Sequence, residues 1–120
     1  MTTNQSEKQD PSESITIKIK EHSYVINFPN TGQLIDIENR KASLRPHNIE
    51  FATGSGLMAN LLIDAVATFD ILCPKMMTDL NVNVFDLNLI QSKHLAKAYL
   101  REFSPWYSEW IKIISNFDLI

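Results

Sequence analysis

The residues able to do chemistry are few, and their spacing assembles no recognisable centre. His22, His47 and His94 are the only histidines. A helical zinc site sets two His at i and i+4, and a zinc finger sets Cys and His at short spacings. Neither spacing occurs, so no metal is expected. Asp64, Asp70, Asp79 and Asp86 are scattered, whereas paired acid–base catalysis needs two carboxyls converging across a cleft. Cys73, the single cysteine, excludes an intrachain disulfide and a thiolate cluster. It follows the apolar run Phe69-Asp70-Ile71-Leu72 and reads as a buried, inert thiol. Gly54-Ser55-Gly56 precedes a helix, but a phosphate-cradling loop also needs a strand before it and Lys-Ser/Thr after it. Both are missing, so this stretch reads as a flexible loop. No catalytic residue and no cofactor is expected.

Three side-chain stripes are candidates for binding a partner. Asn60, Asp64 and Thr68 recur at i, i+4, i+8 in an otherwise apolar segment. They read either as the wet line of a buried helix or as a polar contact to a partner. Lys93, Lys97 and Arg101 repeat the same spacing, which suits a solvated helix face or docking onto an acidic protein. Nucleic acid is not expected there, because no aromatic stacking platform is interleaved with the charges. Trp106, Trp110, Ile113, Ile114 and Phe117 form the third stripe. They read as core packed on a hairpin and a central helix, or as an exposed hot-spot face. The expectation is that at least one Trp stays partly exposed and serves association.

The elements that must hold these stripes follow from periodicity. Ile15, Ile17 and Ile19 alternate with Thr16, Lys18 and Lys20, the period of a half-wet strand. Glu21-His22-Ser23 reads as the turn, and Tyr24, Ile26 and Phe28 as the inward face of the returning strand. A lone hairpin is marginal in water and must rest on helices. Asn30 with Gln33 makes a capping box for a helix reaching about Leu44, with Leu34, Ile37 and Leu44 on one side. Arg45-Pro46-His47-Asn48 breaks it. Leu57 to Leu72 is apolar nearly all round, the mark of a central helix. Leu61 and Leu62 are expected on its buried arc. Pro74 suits the first position of a short helical turn ending at Leu80. Asn83, with Asp86 at N3, is the expected cap of a helix running to about Phe103, with Leu89, Ala96, Tyr99, Leu100 and Phe103 on one arc. Ser104-Pro105 reads as a restart, leading into the amphipathic final helix.

The chain has 120 residues and a formal net charge of −3, which suits one modest core and argues against nucleic acid as principal partner. Met1 to Glu13 carries no large apolar side chain beyond Met1, so residues 1–13 are expected to be a disordered tail. A single α+β domain is expected over residues 14–120: an N-terminal β-hairpin packed on three or four helices. No apolar leader is visible, and no apolar run approaches the ~20 residues that span a bilayer. Cytosolic residence and no membrane partner are therefore expected.

Residues Ile15 to Glu38 carry a resemblance. Ile15, Ile17, Ile19, Tyr24, Ile26, Phe28, Pro29, Gly32, Gln33, Leu34 and Glu38 match the opening of small tail assembly chaperones and related tail proteins of tailed bacteriophages. Those chains open with a short hairpin and an aromatic close, followed by a helix with a GQL-like start. The remainder, with Leu72-Cys73-Pro74-Lys75 and Phe103-Ser104-Pro105-Trp106-Tyr107, is similar to small proteins of phages of Bacteroidetes-type hosts. The resemblance implies a non-enzymatic assembly factor in the host cytoplasm that binds other phage structural or tail proteins, with self-association a further expectation. Its alternatives are a structural component retained in the virion and, third, a small enzyme.

Overall fold

A computed structural model describes residues 10–45, 54–81 and 89–118, with the side chains of residues 54–55, 89–91 and 117–118 left outside that description. The architecture is α+β: a two-stranded antiparallel hairpin on a set of helices. The expected caps Asn83 and Asp86, and the break at Pro46 to Asn48, lie outside the described residues.

Strand β1 is Ser14–Ile19 and β2 is His22–Asn27. The register pairs Ile15 with Ile26, Ile17 with Tyr24 and Ile19 with His22, so the alternating apolar residues share one face. Ile17, Ile19, Tyr24 and Ile26 are buried, as their period of two requires. The turn is tighter than expected. It consists of two residues, Lys20 and Glu21, and His22 already belongs to β2. Lys20 takes the left-handed conformation, φ 57°, to close it. The pairing also runs one step beyond the strands: Phe28 N–H donates to the Glu13 carbonyl at 2.9 Å. The boundary expected after Glu13 therefore falls earlier, since Ser12 and Glu13 are tied to the domain.

Helix α1, Thr31–Leu44, opens with the full capping box. Gln33 N–H donates to Asn30 Oδ1 at 2.8 Å, and Asn30 N–H to Gln33 Oε1 at 3.0 Å. Its inward line is Leu34, Ile37, Lys41 and Leu44, with Ile37 and Leu44 buried. Helix α2 spans Gly54–Leu72. It starts three residues before Leu57, so Gly54-Ser55-Gly56 forms its first turn rather than a loop. Ile63, Ala65, Val66, Ala67, Thr68 and Phe69 are buried along it, and Leu61 and Leu62 are only half-buried. The core of α2 thus lies one turn further along than the apolar run alone indicated. Helix α3, Pro74–Leu80, has Pro74 at N1 and ends in left-handed Asn81. Among the described residues no single helix is long and apolar enough to cross a membrane, and Gly56–Leu72 and Pro74–Leu80 meet at a 119° bend.

Helix α4, Leu89–Lys97, passes into a π-helical turn, Ala98–Phe103, and then into helix α5, Ser104–Asp118. Ser104-Pro105 is not the restart the sequence suggested. Ser104 is helical, φ −62° and ψ −44°, and its N–H donates five residues back to the Tyr99 carbonyl. Pro105 brings no N–H and its ring crowds the preceding turn. The widened π turn accommodates that ring without ending the helix. The extra residue also rephases the buried face. Leu95, Ala98 and Phe103 point inward, while Leu100, expected on the inward arc, is turned out.

Along this continuous helix Tyr99, Phe103 and Tyr107 recur every four residues and their rings stack. Phe28 of the hairpin continues the column on Tyr107, at 5.4 Å and 13°. Phe69 abuts Tyr99 and Phe103 edge-on from α2. Such ring pairs contribute about 0.5–1.5 kcal/mol each beyond their area. The column is the seam that joins hairpin, α2 and the C-terminal helix.

Candidate protein-binding groove

One end of the aromatic column opens onto a hollow. Leu57, Met58, Asn60, Leu61 and Asp64 of α2 form one wall, and Tyr99 and Leu100 of the π turn form the other, enclosing about 460 Å³. Leu57, Leu100 and Met58 are 54%, 49% and 44% exposed. Large aliphatic side chains are not unusual singly on a surface. Here three of them line one concavity, which makes it a candidate binding surface.

The polar lining of this groove, Asn60 and Asp64, is held in place from α1. Arg45, at the C-cap of α1, donates through Nη2 to Asn60 Oδ1 and, at 2.8 Å, to Asp64 Oδ1. Lys41 Nζ lies 3.7 Å from the same carboxylate oxygen. Burial alone would lower the Lys41 ammonium, but the hydrogen bond with Glu38 and the charges of Asp64 and Glu38 hold it above the usual lysine value. One turn on, Arg40 donates twice to Asp70. Thr68 is buried and hydrogen-bonded to Tyr99. Asn60 and Asp64, half-buried, also line the groove, so the Asn60/Asp64/Thr68 line has a role within the chain beside the two its spacing suggested. It is the seat on which α1 and Tyr99 dock. Burial, with the Asp64 charge adding, pushes the Tyr99 phenol up and keeps it neutral.

The basic stripe runs along α4 into the π turn. Lys93, Lys97 and Arg101 are all exposed, and none has an ion-pair partner among the described residues.

The Trp stripe lies at the far end of the column and is largely occupied within the chain. Trp106 is edge-on to Phe28 and Phe103, and Trp110 is tilted on Phe28. Both indole N–H groups donate to one acceptor, the Ser12 carbonyl, at 2.7 and 2.9 Å. Both rings remain half-buried. Ile113 is half-buried too, Ile111 and Ile114 are exposed, and the Phe117 side chain lies outside the described residues. A second hollow, about 410 Å³, opens here between Glu13, Asn27, Phe28, Trp110 and Ile114.

Of the remaining candidates, His22 is exposed beside Tyr24, His94 is half-buried on α4, and His47 lies outside the described residues. Cys73 is buried. Among the described residues no three His, Cys, Asp or Glu side chains come together as metal ligands. Asp79 accepts from Tyr24 Oη at 2.8 Å and from Lys75 at 3.0 Å. These two hydrogen bonds hold its carboxyl below the usual range, and burial plus the Asp79 bond push the Tyr24 phenol up to about 12. This cluster pins the hairpin to α3.

The structure brings Asn60 and Asp64 into the groove, leaves Trp106 and Trp110 at the other end of the column, and does not bring Lys93, Lys97 and Arg101 into the groove's lining among the described residues. Leu57, Met58 and Leu100 were missed as surface groups. Leu57 and Met58 read as core because α2 is apolar on every side, and Leu100 because an unbroken 3.6 period places it inward. No protein-family model, no curated protein and no solved structure matches this chain.

Proposed function

We propose that this chain is a non-enzymatic protein-binding factor of phage tail morphogenesis, a chaperone-like partner for other tail proteins. The observation that supports it most is the groove of half-exposed Leu57, Met58 and Leu100 beside a well-packed aromatic column. The resemblance of Ile15 to Glu38 to tail assembly chaperones supports the setting. In this reading the groove covers an apolar, aggregation-prone face of a client in the host cytoplasm. The client leaves when assembled subunits bury that same face, because the two contacts compete for one surface.

The test is co-expression with the tail-tube and tape-measure proteins of the same genome. One of them is expected to stay in the soluble fraction with the native chain and to sediment with Met58→Asp or Leu100→Asp. Both substituted side chains are exposed, so both variants are expected to keep the native melting temperature within a few degrees, which circular dichroism checks. Unchanged client solubility refutes the proposal. Mass spectrometry of purified particles supplies the second readout: a chaperone is absent, and a stoichiometric presence favours a structural virion component instead.

A further inference from the structure

We infer that the outer edge of strand β2 is a self-association surface, on which β2 of a second copy of this chain pairs antiparallel. No groove residue takes part, so the surface is separate from the client face proposed above.

The direction of the backbone groups comes first. Phe28 N–H donates to the Glu13 carbonyl, in register with the rest of the ladder. In an antiparallel pair, hydrogen-bonded and non-hydrogen-bonded residue pairs alternate. Ile15/Ile26, Ile17/Tyr24 and Ile19/His22 therefore exchange the ladder bonds. The N–H and C=O groups of Ser14, Thr16 and Lys18 point out from one edge of the hairpin. Those of Ser23, Val25 and Asn27 point out from the other.

The two edges are finished differently. On the β1 side, the Ser12 carbonyl takes both indole N–H groups, and Ser14 N–H donates to Ser12 Oγ at 3.3 Å. β1 also packs against the π turn and carries Lys18, the kind of charge that keeps edge strands from pairing. The β2 edge has none of these protections. Among the described residues, no hydrogen bond reaches the outward N–H and C=O groups of Ser23, Val25 and Asn27. His22–Asn27 contains no Lys, Arg, Asp, Glu or Pro, and Val25 is 63% exposed. An uncharged edge with open backbone groups is a template for another strand.

The sequence of β2 selects a second copy as that strand. In a two-fold pairing centred on Val25, Val25 meets Val25 of the second copy and Ser23 meets Asn27. This is the one two-fold register in which all three outward residues meet outward residues. A step one way sets Ser23 against Pro29, which has no N–H, and a step the other way sets Asn27 against Glu21 in the turn. In the Val25 register each of the three pairs exchanges both of its bonds. The outer face gains an apolar Val–Val contact and a polar Ser–Asn pair, and the inner face sets Tyr24 beside Ile26, an aromatic–β-branched pair. No like charges are brought together. The result is a four-stranded sheet closed by a two-fold axis, which removes the bare edge of both hairpins.

The test is sedimentation of the full chain from about 5 to 500 μM, with amide exchange measured over the same range. A dimer is expected to accumulate with concentration. Exchange at Ser23, Val25 and Asn27 should slow as it forms, while Thr16 and Lys18 stay unchanged. Val25→Lys sets two ammonium groups opposite each other and should weaken the dimer at least about tenfold. Its melting temperature at the lowest concentration should match the native chain. A second readout is cross-linking under mild oxidation. Val25→Cys should form a disulfide dimer, since hydrogen-bonded partners lie about 5.5 Å apart at Cα. Ser23→Cys should not, because its counterpart lies four residues along the partner strand, about 13 Å away. A chain that stays monomeric across the range overturns the inference. A dimer indifferent to Val25→Lys but lost in Leu100→Ser assigns self-association to the groove and also refutes it. Cross-linking through Ser23→Cys but not Val25→Cys refutes the register on which the choice of a second copy rests. Protection of the β2 amides only on adding a tail protein gives the edge to a foreign strand and refutes the second copy as occupant.

Discussion

Trp106 and Trp110 were candidates for association, and the packing now makes them a quantitative test of stability. Trp106 makes two ring contacts, to Phe28 at 5.7 Å and to Phe103 at 5.8 Å, and one hydrogen bond to the Ser12 carbonyl. Trp110 makes one ring contact at 6.0 Å and one bond to the same oxygen. A hydrogen bond of this kind contributes about 0.5–1.5 kcal/mol net, and each ring pair a similar amount. Trp106→Ala should therefore cost about 3 kcal/mol, at the low end for a Trp truncation because the ring is half-buried. Trp110→Ala should cost about 1–3 kcal/mol, and Trp110→Phe, which keeps a ring on Phe28, only about 0.5–1.5 kcal/mol. Because both indoles hold one carbonyl, losing the first leaves Ser12 anchored and losing the second releases it. The Trp106→Phe/Trp110→Phe pair should then be non-additive by at least ~0.5 kcal/mol. Removing residues 1–13 deletes the shared acceptor and should abolish that coupling. Urea denaturation with tryptophan fluorescence, or circular dichroism for the double variant, measures all of these. Costs under ~1 kcal/mol for Trp106→Ala, with light scattering showing lost association, would refute this account and return the stripe to an interface.

Phe69→Ala should cost about 3–5 kcal/mol, since the ring is fully buried against Tyr99 and Phe103, while Leu61→Ala at the groove edge should cost far less. Equal costs by chemical denaturation would mean that α2 is rotated from the position described. Arg45→Met should cost about 1–2 kcal/mol, because the pair is partly exposed, and the loss should shrink in about 1 M salt. Tyr24 carries a pH signature. Its folded value of about 12 lies above the ordinary 10.0, so folding favours the neutral phenol, and that contribution is complete below pH 10.0 and lost as pH rises toward 12. Tyr24→Phe should flatten this alkaline arm in a stability–pH series. An unchanged arm would remove Tyr24 as its source. Asp79, held low, contributes at the other end: its share is present above the usual carboxylate value and fades as pH falls through its folded value.

Local rules fixed the parts of this fold that depend on local contacts. The period-two run Ile15 to Phe28 placed the hairpin face, and Asn30 with Gln33 placed the start of α1, because strand alternation and capping boxes are read from neighbours alone. The errors arise where distant residues decide. Ser104-Pro105 is a helix-start signal only if the chain before it has ended a helix. Here the π turn absorbs the Pro ring, and the backbone stays helical because Tyr99, Phe103 and Tyr107 are stacked as one column. That column was visible as aromatics at i, i+4, i+8, but its partner Phe28 is far away in sequence. Asn60 and Asp64 looked like surface because nothing local pairs them; their partner is Arg45, in the cap of another helix. Ser12 looked like tail because its anchor is a backbone carbonyl, which carries no sequence signal.

The same topology explains why two stripes of identical spacing acquire opposite characters. Asn60/Asp64/Thr68 and Lys93/Lys97/Arg101 each repeat at i, i+4, i+8 on helices in contact with one another. The capping box at Asn30 sets the start of α1, and from there Lys41 and Arg45 fall opposite Asp64. Pairing these groups satisfies the α2 stripe, so α2 meets the groove with its charge cancelled. The one-residue insertion in the π turn leaves Ala98 and Phe103 inward and turns Leu100 out. An apolar wall beside a compensated polar seat results from two local events, a cap and a proline. Each can be changed alone. Pro105→Ala removes the reason for the π turn, and if a regular helix then draws Leu100 inward, the groove should lose its aliphatic wall while the Asp64 seat stays intact.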